Sequence, residues 1–112
     1  LIVEDDALIA MELGERLADM GYEVIGPAHT LAEAEAALAN GAQPDAALLD
    51  ANLAGQSSVP LGAVLARRGV PLAFCTGYDK IKNLPPELAR APVLTKPIGD
   101  ADLIAGLKLL LS

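Results

Sequence analysis

The stretch Ala46-Ala47-Leu48-Leu49-Asp50 is apolar without a break until it meets an acid. An apolar run of this length with no polar alternation suits a strand buried on both faces, and such strands belong to parallel sheets covered by helices. The same sign recurs on either side of it. Leu1-Ile2-Val3 runs into Glu4-Asp5-Asp6, Leu72-Ala73-Phe74-Cys75 into Thr76, and Val93-Leu94-Thr95 into Lys96-Pro97. Tyr22 to Ile25 is a further β-prone segment, closed by Gly26-Pro27.

Helical patterns fill the gaps. Ile9, Leu13, Leu17 and Met20 recur at helical spacing, with Glu12, Glu15, Arg16 and Asp19 on the other faces and Gly21 as a stop. Thr30-Leu31-Ala32-Glu33 is a capping box opening an Ala-rich helix that Gly41 ends. Gly55 to Ser58 reads as a loop, Pro60 suits a first helical turn, and the helix it opens runs to Arg68 before Gly69. Pro85 and Pro86 leave room for only a short helix, Pro86 to Arg90. Leu103, Leu107 and Leu110 form the inner face of a closing helix, with Asp100 and Asp102 near its positive end. Strand and helix thus alternate five times, which predicts an α/β fold with a parallel sheet between two helical layers. Sheets of this kind bind ligands beyond the carboxyl ends of their strands, where the polar residues that end the strands fall.

A length of 112 residues fits one domain, residues 1–112. Leu1 already lies within a strand, so native residues are expected upstream of it. No run approaches the roughly 18 to 20 apolar residues of a membrane span, so no membrane partner is expected. The single cysteine, Cys75, sits in an apolar run where a reduced core thiol is expected, which fits a cytoplasmic protein. Fifteen acids against eight bases give a net charge of −7, with no Lys/Arg cluster. Such a field repels nucleic acid, and two Tyr and one Phe offer no stacking surface, so direct nucleic-acid binding is not expected.

The strand ends bring Glu4, Asp5, Asp50, Thr76 and Lys96 to one rim. At about 4 Å and an effective dielectric near 20, each pair of carboxylates repels by on the order of 4 kcal/mol, more than one lysine offsets. A divalent cation is the natural remedy, and oxygen ligands that leave room for water and a phosphate select Mg²⁺. A carboxylate beside such an ion can attack phosphorus and form an aspartyl phosphate. Asp50 is the candidate nucleophile, with Lys96 and the Thr76 hydroxyl to stabilise charge on the equatorial oxygens.

Glu4-Asp5 after the first strand, Asp50 after the third, Thr76-Gly77 after the fourth and Lys96-Pro97 after the fifth resemble, over the whole chain, the response-regulator receiver domain of two-component signalling. The resemblance implies a flavodoxin-like, doubly wound sheet of five strands in the order 2-1-3-4-5. It implies that Asp50 accepts phosphate from a histidine kinase or a histidine phosphotransfer protein, and that the chain promotes only its own phosphorylation and dephosphorylation and is not otherwise an enzyme. It further implies that Asp5, Asp50 and the backbone carbonyl of Asn52 ligate the metal, that Glu4 acts on it mainly through water, and that Lys96 pairs with the phosphoryl group and precedes a cis proline. Phe74-Cys75-Thr76-Gly77-Tyr78 also resembles an alphaproteobacterial subclass with a Phe-Ala-Thr-Gly-hydrophobic-Tyr motif, often single-domain regulators in stress phosphorelays. Many receivers carry an aromatic residue where this chain has Val93, and Tyr78 is the candidate replacement.

Taken singly, these residues have plainer explanations. An acid at a strand end is most often a helix cap, which is the reading adopted for Asp6. His29 has no partner for a metal and reads as a loop side chain. Leu109 and Leu111 lie off the core face of the last helix and could join a partner surface. Two other functions compete with the phosphoacceptor. One is a phosphohydrolase like the haloacid dehalogenases, but Asn52 stands where those enzymes have their second aspartate, and here the acidic pair comes first instead of last. The other is a receiver that no longer responds to phosphate, made thinkable by Val93 and by the short fourth-helix region with its two prolines, against which the intact acidic set argues.

Overall fold

The computed structural model describes residues 1–77, 81 and 84–112. In chain order the elements are β1 (Ile2–Val3), α1 (Ala7–Asp19), α2 (Leu31–Ala39), β2 (Ala47–Asp50), β3 (Asn52–Leu53), β4 (Gln56–Ser57), α3 (Val59–Arg67), β5 (Leu72–Thr76), a 3₁₀ turn (Pro86–Leu88), β6 (Val93–Thr95) and α4 (Asp100–Leu111). The sheet is parallel in the order β1-β2-β5-β6, with Ile2 opposite Leu48, Leu49 opposite Phe74, and Cys75 opposite Leu94.

Alternation along the strands splits the core into two halves. Val3, Leu49 and Phe74 join a cluster with Leu38 of α2 and Leu61 and Leu65 of α3. Their strand neighbours Ile2, Leu48, Ala73 and Cys75 point the other way, into a cluster with Leu13 and Leu17 of α1 and Leu103, Leu107 and Leu110 of α4. Helices therefore cover both faces in three layers, as the unbroken apolar runs predict. Gly62 lets α3 lie close on the sheet, since a Cβ there would stand 3.0 Å from Phe74 Cζ.

The expected strand at Tyr22 to Ile25 is a correction. The chain passes beside β1 at the place of a fifth strand, and Val3 forms a lone parallel bridge with Ala28. Ile2 N–H donates to Ile25 O (3.1 Å), Ala28 N–H to Ile2 O (2.9 Å) and Glu4 N–H to Ala28 O (2.9 Å). The order 2-1-3-4-5 is thus kept in space, but no regular strand forms. Gly26 turns the backbone at φ +97° and Pro27 has no N–H to donate, so the ladder is broken where it would have begun. Only glycine fits at 26, because a Cβ would stand 2.7 Å from Ala28 N.

Three smaller differences have local causes. Gly55 to Ser58, expected as loop, belongs largely to an antiparallel hairpin of β3 and β4, turned by Ala54 and Gly55 at φ +50° and +89°, as a two-residue hairpin of this type requires. The inner face of α1 is Ala10, Leu13 and Leu17, while Ile9 is 40% exposed. The helix expected over Pro86 to Arg90 is one 3₁₀ turn, with Leu88 buried beneath it. Asp6 is the N-cap of α1 and accepts the N–H groups of Leu8 and Ile9. Cys75 is buried with a free thiol, and burial pushes that thiol up to about 12. Leu109 and Leu111 are exposed. Among the described residues no helix is long and apolar enough to cross a membrane.

Candidate functional site

Four strand ends converge because the sheet is parallel. Glu4 follows β1, Asp50 closes β2, Thr76 closes β5 and Lys96 follows β6. The register holds the last two together, since Lys96 N–H donates to the Thr76 carbonyl at 2.7 Å. Oxygens of Glu4, Asp5 and Asp50 lie within 4.8 Å of one another. The Lys96 ammonium reaches into them, 2.5 Å from Glu4 Oε1 and 3.2 Å from Asp50 Oδ2. Glu4, Asp50 and Thr76 are buried, whereas Asp5 and Asn52 face solvent.

Neighbouring backbone fixes the acids. Asp50 Oδ1 accepts the Asn52 N–H at 3.2 Å, and Asp5 Oδ2 accepts the Ala54 N–H at 3.0 Å, so the hairpin turn is tied to the rim. Glu4 Oε2 accepts the Asp6 N–H at 3.2 Å. The Lys96–Pro97 bond is cis, as the resemblance implied. A cavity of about 350 Å³ opens beside Asp50, between α1 (Ile9, Leu13, Arg16) and the Pro97-Ile98 turn. Arg16 spans its edge, with Nη2 2.7 Å from Asp100 Oδ1.

Crowding of negative charge is visible in the proton affinities. Burial, and then the neighbouring Asp50, push the Glu4 carboxyl up to about 7, against the pull of Lys96. Burial also opposes the charge on Asp5, but hydrogen bonds with Glu4, Asp50 and the Ala54 N–H outweigh it and hold its carboxyl low. Lys96 is drawn down by burial and raised by more through Glu4 and Asp50. Three carboxylates around one ammonium, all oxygen donors and one still retaining a proton near neutrality, make a donor set that fits a hard divalent cation.

The raised value at Glu4 sets a pH dependence. In the metal-free chain its stabilising contribution is complete below pH 4.5 and is lost as pH rises through about 7, when a buried charge forms. A divalent cation bound at this rim would supply the compensation and would have to displace that proton below neutrality. The rise in Tm on adding Mg²⁺ is therefore expected to be larger near pH 8 than near pH 6, with apparent affinity falling up to about tenfold per unit on the acid side. Melting curves with Mg²⁺ and with EDTA across this range check it, and an equal shift at every pH would contradict it.

Of the residues singled out in the sequence, Glu4, Asp5, Asp50, Thr76 and Lys96 meet at this rim. Asn52 lies beside them, joined to Asp50 through its N–H. Tyr78 lies outside the described residues, and with it the expected replacement for the aromatic absent at Val93. One contact had no sequence signal, the His29 ring against the Glu4 carbonyl.

No family profile matches the chain. SdrG from Sphingomonas melonis Fr1 superposes with a TM-score of 0.81 at 37% identity, covering 99% of this chain and 93% of that one. Its BeF3-activated conformation superposes at 0.80 with the same identity and coverage. The receiver domain of the Erythrobacter litoralis PhyR response regulator gives a TM-score of 0.78 at 26% identity, over 98% of this chain and 88% of that one. This chain belongs to the response-regulator receiver family. Among curated proteins, the transcriptional regulatory protein PdtaR of Mycobacterium tuberculosis is 30% identical across all of this chain. The receiver spans about half the length of that relative, 56%. The conjunction of Asp50, the acidic pair and Lys96 is thus seen on a receiver fold whose edge segment is irregular.

Proposed function

We propose that this receiver accepts a phosphoryl group on Asp50 from a phosphohistidine, on a histidine kinase or a histidine phosphotransfer protein, and that the added charge switches its affinity for a downstream protein. The observation that carries this is Lys96 Nζ at 3.2 Å from Asp50 Oδ2, inside a cluster with Glu4 and Asp5. In the transfer an Asp50 oxygen forms a bond to phosphorus, the donor P–N bond breaks, and the imidazole leaves with the electron pair. Lys96 offers its charge to the phosphoryl oxygens, and Thr76, at the end of the neighbouring strand, offers a hydroxyl. The cavity beside Asp50 gives a donor side chain access between α1 and the Pro97 turn.

Glu4, Asp5, Asp50 and the Asn52 carbonyl would hold the Mg²⁺. When bound, it supplies charge neutralisation for the acids and for the phosphoryl oxygens. A BeF3-activated form of SdrG supports the reading, since beryllium trifluoride imitates a phosphoryl group. A cytoplasmic site of action is part of this reading, and the buried, unpaired Cys75 is compatible with it.

Incubation with acetyl phosphate and Mg²⁺ is expected to add the mass of one phosphoryl group, and EDTA to prevent it. Intact mass spectrometry reads the result. Failure with both acetyl phosphate and a phosphorylated histidine donor would instead favour an interaction module that does not respond to phosphate.

A further inference from the structure

The strand that delivers the acidic pair ends early. β1 pairs with β2 only through Ile2 and Val3, so the backbone of Glu4 lies past the regular ladder. Its polar groups are satisfied from the other side. Glu4 N–H donates to Ala28 O at 2.9 Å, and the Glu4 carbonyl lies 3.0 Å from His29 Nδ1. A carbonyl can only accept, so Nδ1 carries the proton and donates. The ring thereby stands in for the ladder bond that a continuing edge strand would have supplied.

His29 is itself held in place. Its backbone N–H donates to Glu33 Oε2 at 2.5 Å, while Glu33 N–H donates to Thr30 Oγ1 at 3.1 Å, closing the cap of α2. The ring is half-buried. A continuous path of hydrogen bonds therefore runs from the start of α2 through His29 to Glu4, whose carboxylate meets Lys96.

We propose that His29 is a positioning residue for the metal and phosphoryl site: it fixes the peptide of Glu4, and so sets where the Glu4 and Asp5 carboxylates stand. The proposal rests on the reading of the rim as a Mg²⁺ site. It concerns geometry, and the ring needs only its Nδ1 proton. Partners that orient the groups around a metal typically matter by about ten- to a hundredfold in affinity, and a single neutral bond to backbone belongs at the lower end.

Three chains decide it, wild type, His29→Leu and His29→Asn, each titrated with Mg²⁺ well below its own Tm and melted in EDTA. Asparagine places an N–H donor close to the position of Nδ1, and leucine does not. His29→Leu is expected to weaken Mg²⁺ binding by about three- to tenfold and to slow phosphorylation by acetyl phosphate similarly, with His29→Asn close to wild type. A merely structural role would lower Tm in both variants without separating them in Mg²⁺ affinity. Wild-type affinity in His29→Leu, or equal weakening in leucine and asparagine, overturns the proposal. If His29→Leu does not fold, His29→Gln replaces it, since its longer amide puts the donor beyond the Nδ1 position, and the same expectation applies. Absence of Mg²⁺ binding by the wild type would instead remove the metal reading on which the proposal stands.

Discussion

Asp50→Asn is expected to gain no phosphoryl mass from any donor and yet to melt higher than the wild type in metal-free buffer near pH 8. Both effects come from one carboxylate. As a nucleophile Asp50 is the carboxylate that closes the central strand β2, between β1 and β5, with Lys96 Nζ 3.2 Å away to meet the phosphoryl oxygens, and an amide in its place cannot form the acyl phosphate. As a charge it is 8% exposed and shares a small rim with two other acids. Removing it eliminates two repulsions and one attraction to Lys96, a net gain on the order of 1 to 2 kcal/mol, or several degrees in Tm. The asparagine carbonyl still accepts the Asn52 N–H, so packing is preserved. Mass spectrometry and melting in EDTA check the two halves. A destabilised Asp50→Asn chain would mean that the lysine already balances the acids, and the electrostatic case for a cation would weaken.

Lys96→Met carries the opposite sign. The substitution keeps the length and the apolar stem but leaves buried Glu4 and Asp50 without their cation. Breaking a buried pair from one side costs about 3 to 5 kcal/mol, and with Lys96 side chain 22% exposed about 2 to 3 kcal/mol is expected here. Urea unfolding near pH 8 in EDTA measures it. Mg²⁺ should recover part of the loss, because it neutralises the same oxygens, and phosphorylation should fall while Asp50 remains present. If Lys96→Met were as stable as the wild type without metal, the two ion pairs would be contributing nothing, and the proposed charge role of Lys96 would lose its support.

What could be read in the sequence and what could not divide along range of interaction. β2 and β5 are legible because each is a short apolar run that follows a proline, Pro44 or Pro71, and stops at a polar residue, and once those are placed the chain itself puts Asp50 and Thr76 at their ends. Lys96 and Glu4 follow by the same logic. The edge segment is different. Tyr22 to Ile25 has strand propensity, but Gly26 and Pro27 decide its geometry, and the two signals overlap within six residues. The β3–β4 turn was illegible because Ala54 occupies a left-handed position where asparagine or glycine would have announced a hairpin. His29 was illegible because its partner lies 25 residues away and is a backbone carbonyl, which no side-chain pattern advertises.

The irregular passage at Gly26 and Pro27 has a consequence for the chain in company with its own copies. An open parallel sheet normally ends in a row of free amides and carbonyls that can recruit a strand from another molecule and grow. Here the outermost segment is kinked at Gly26 and offers no amide at Pro27, so an incoming strand would find no continuous template. A fold with 53% hydrophobic residues therefore presents no regular strand along that border for a second copy to extend.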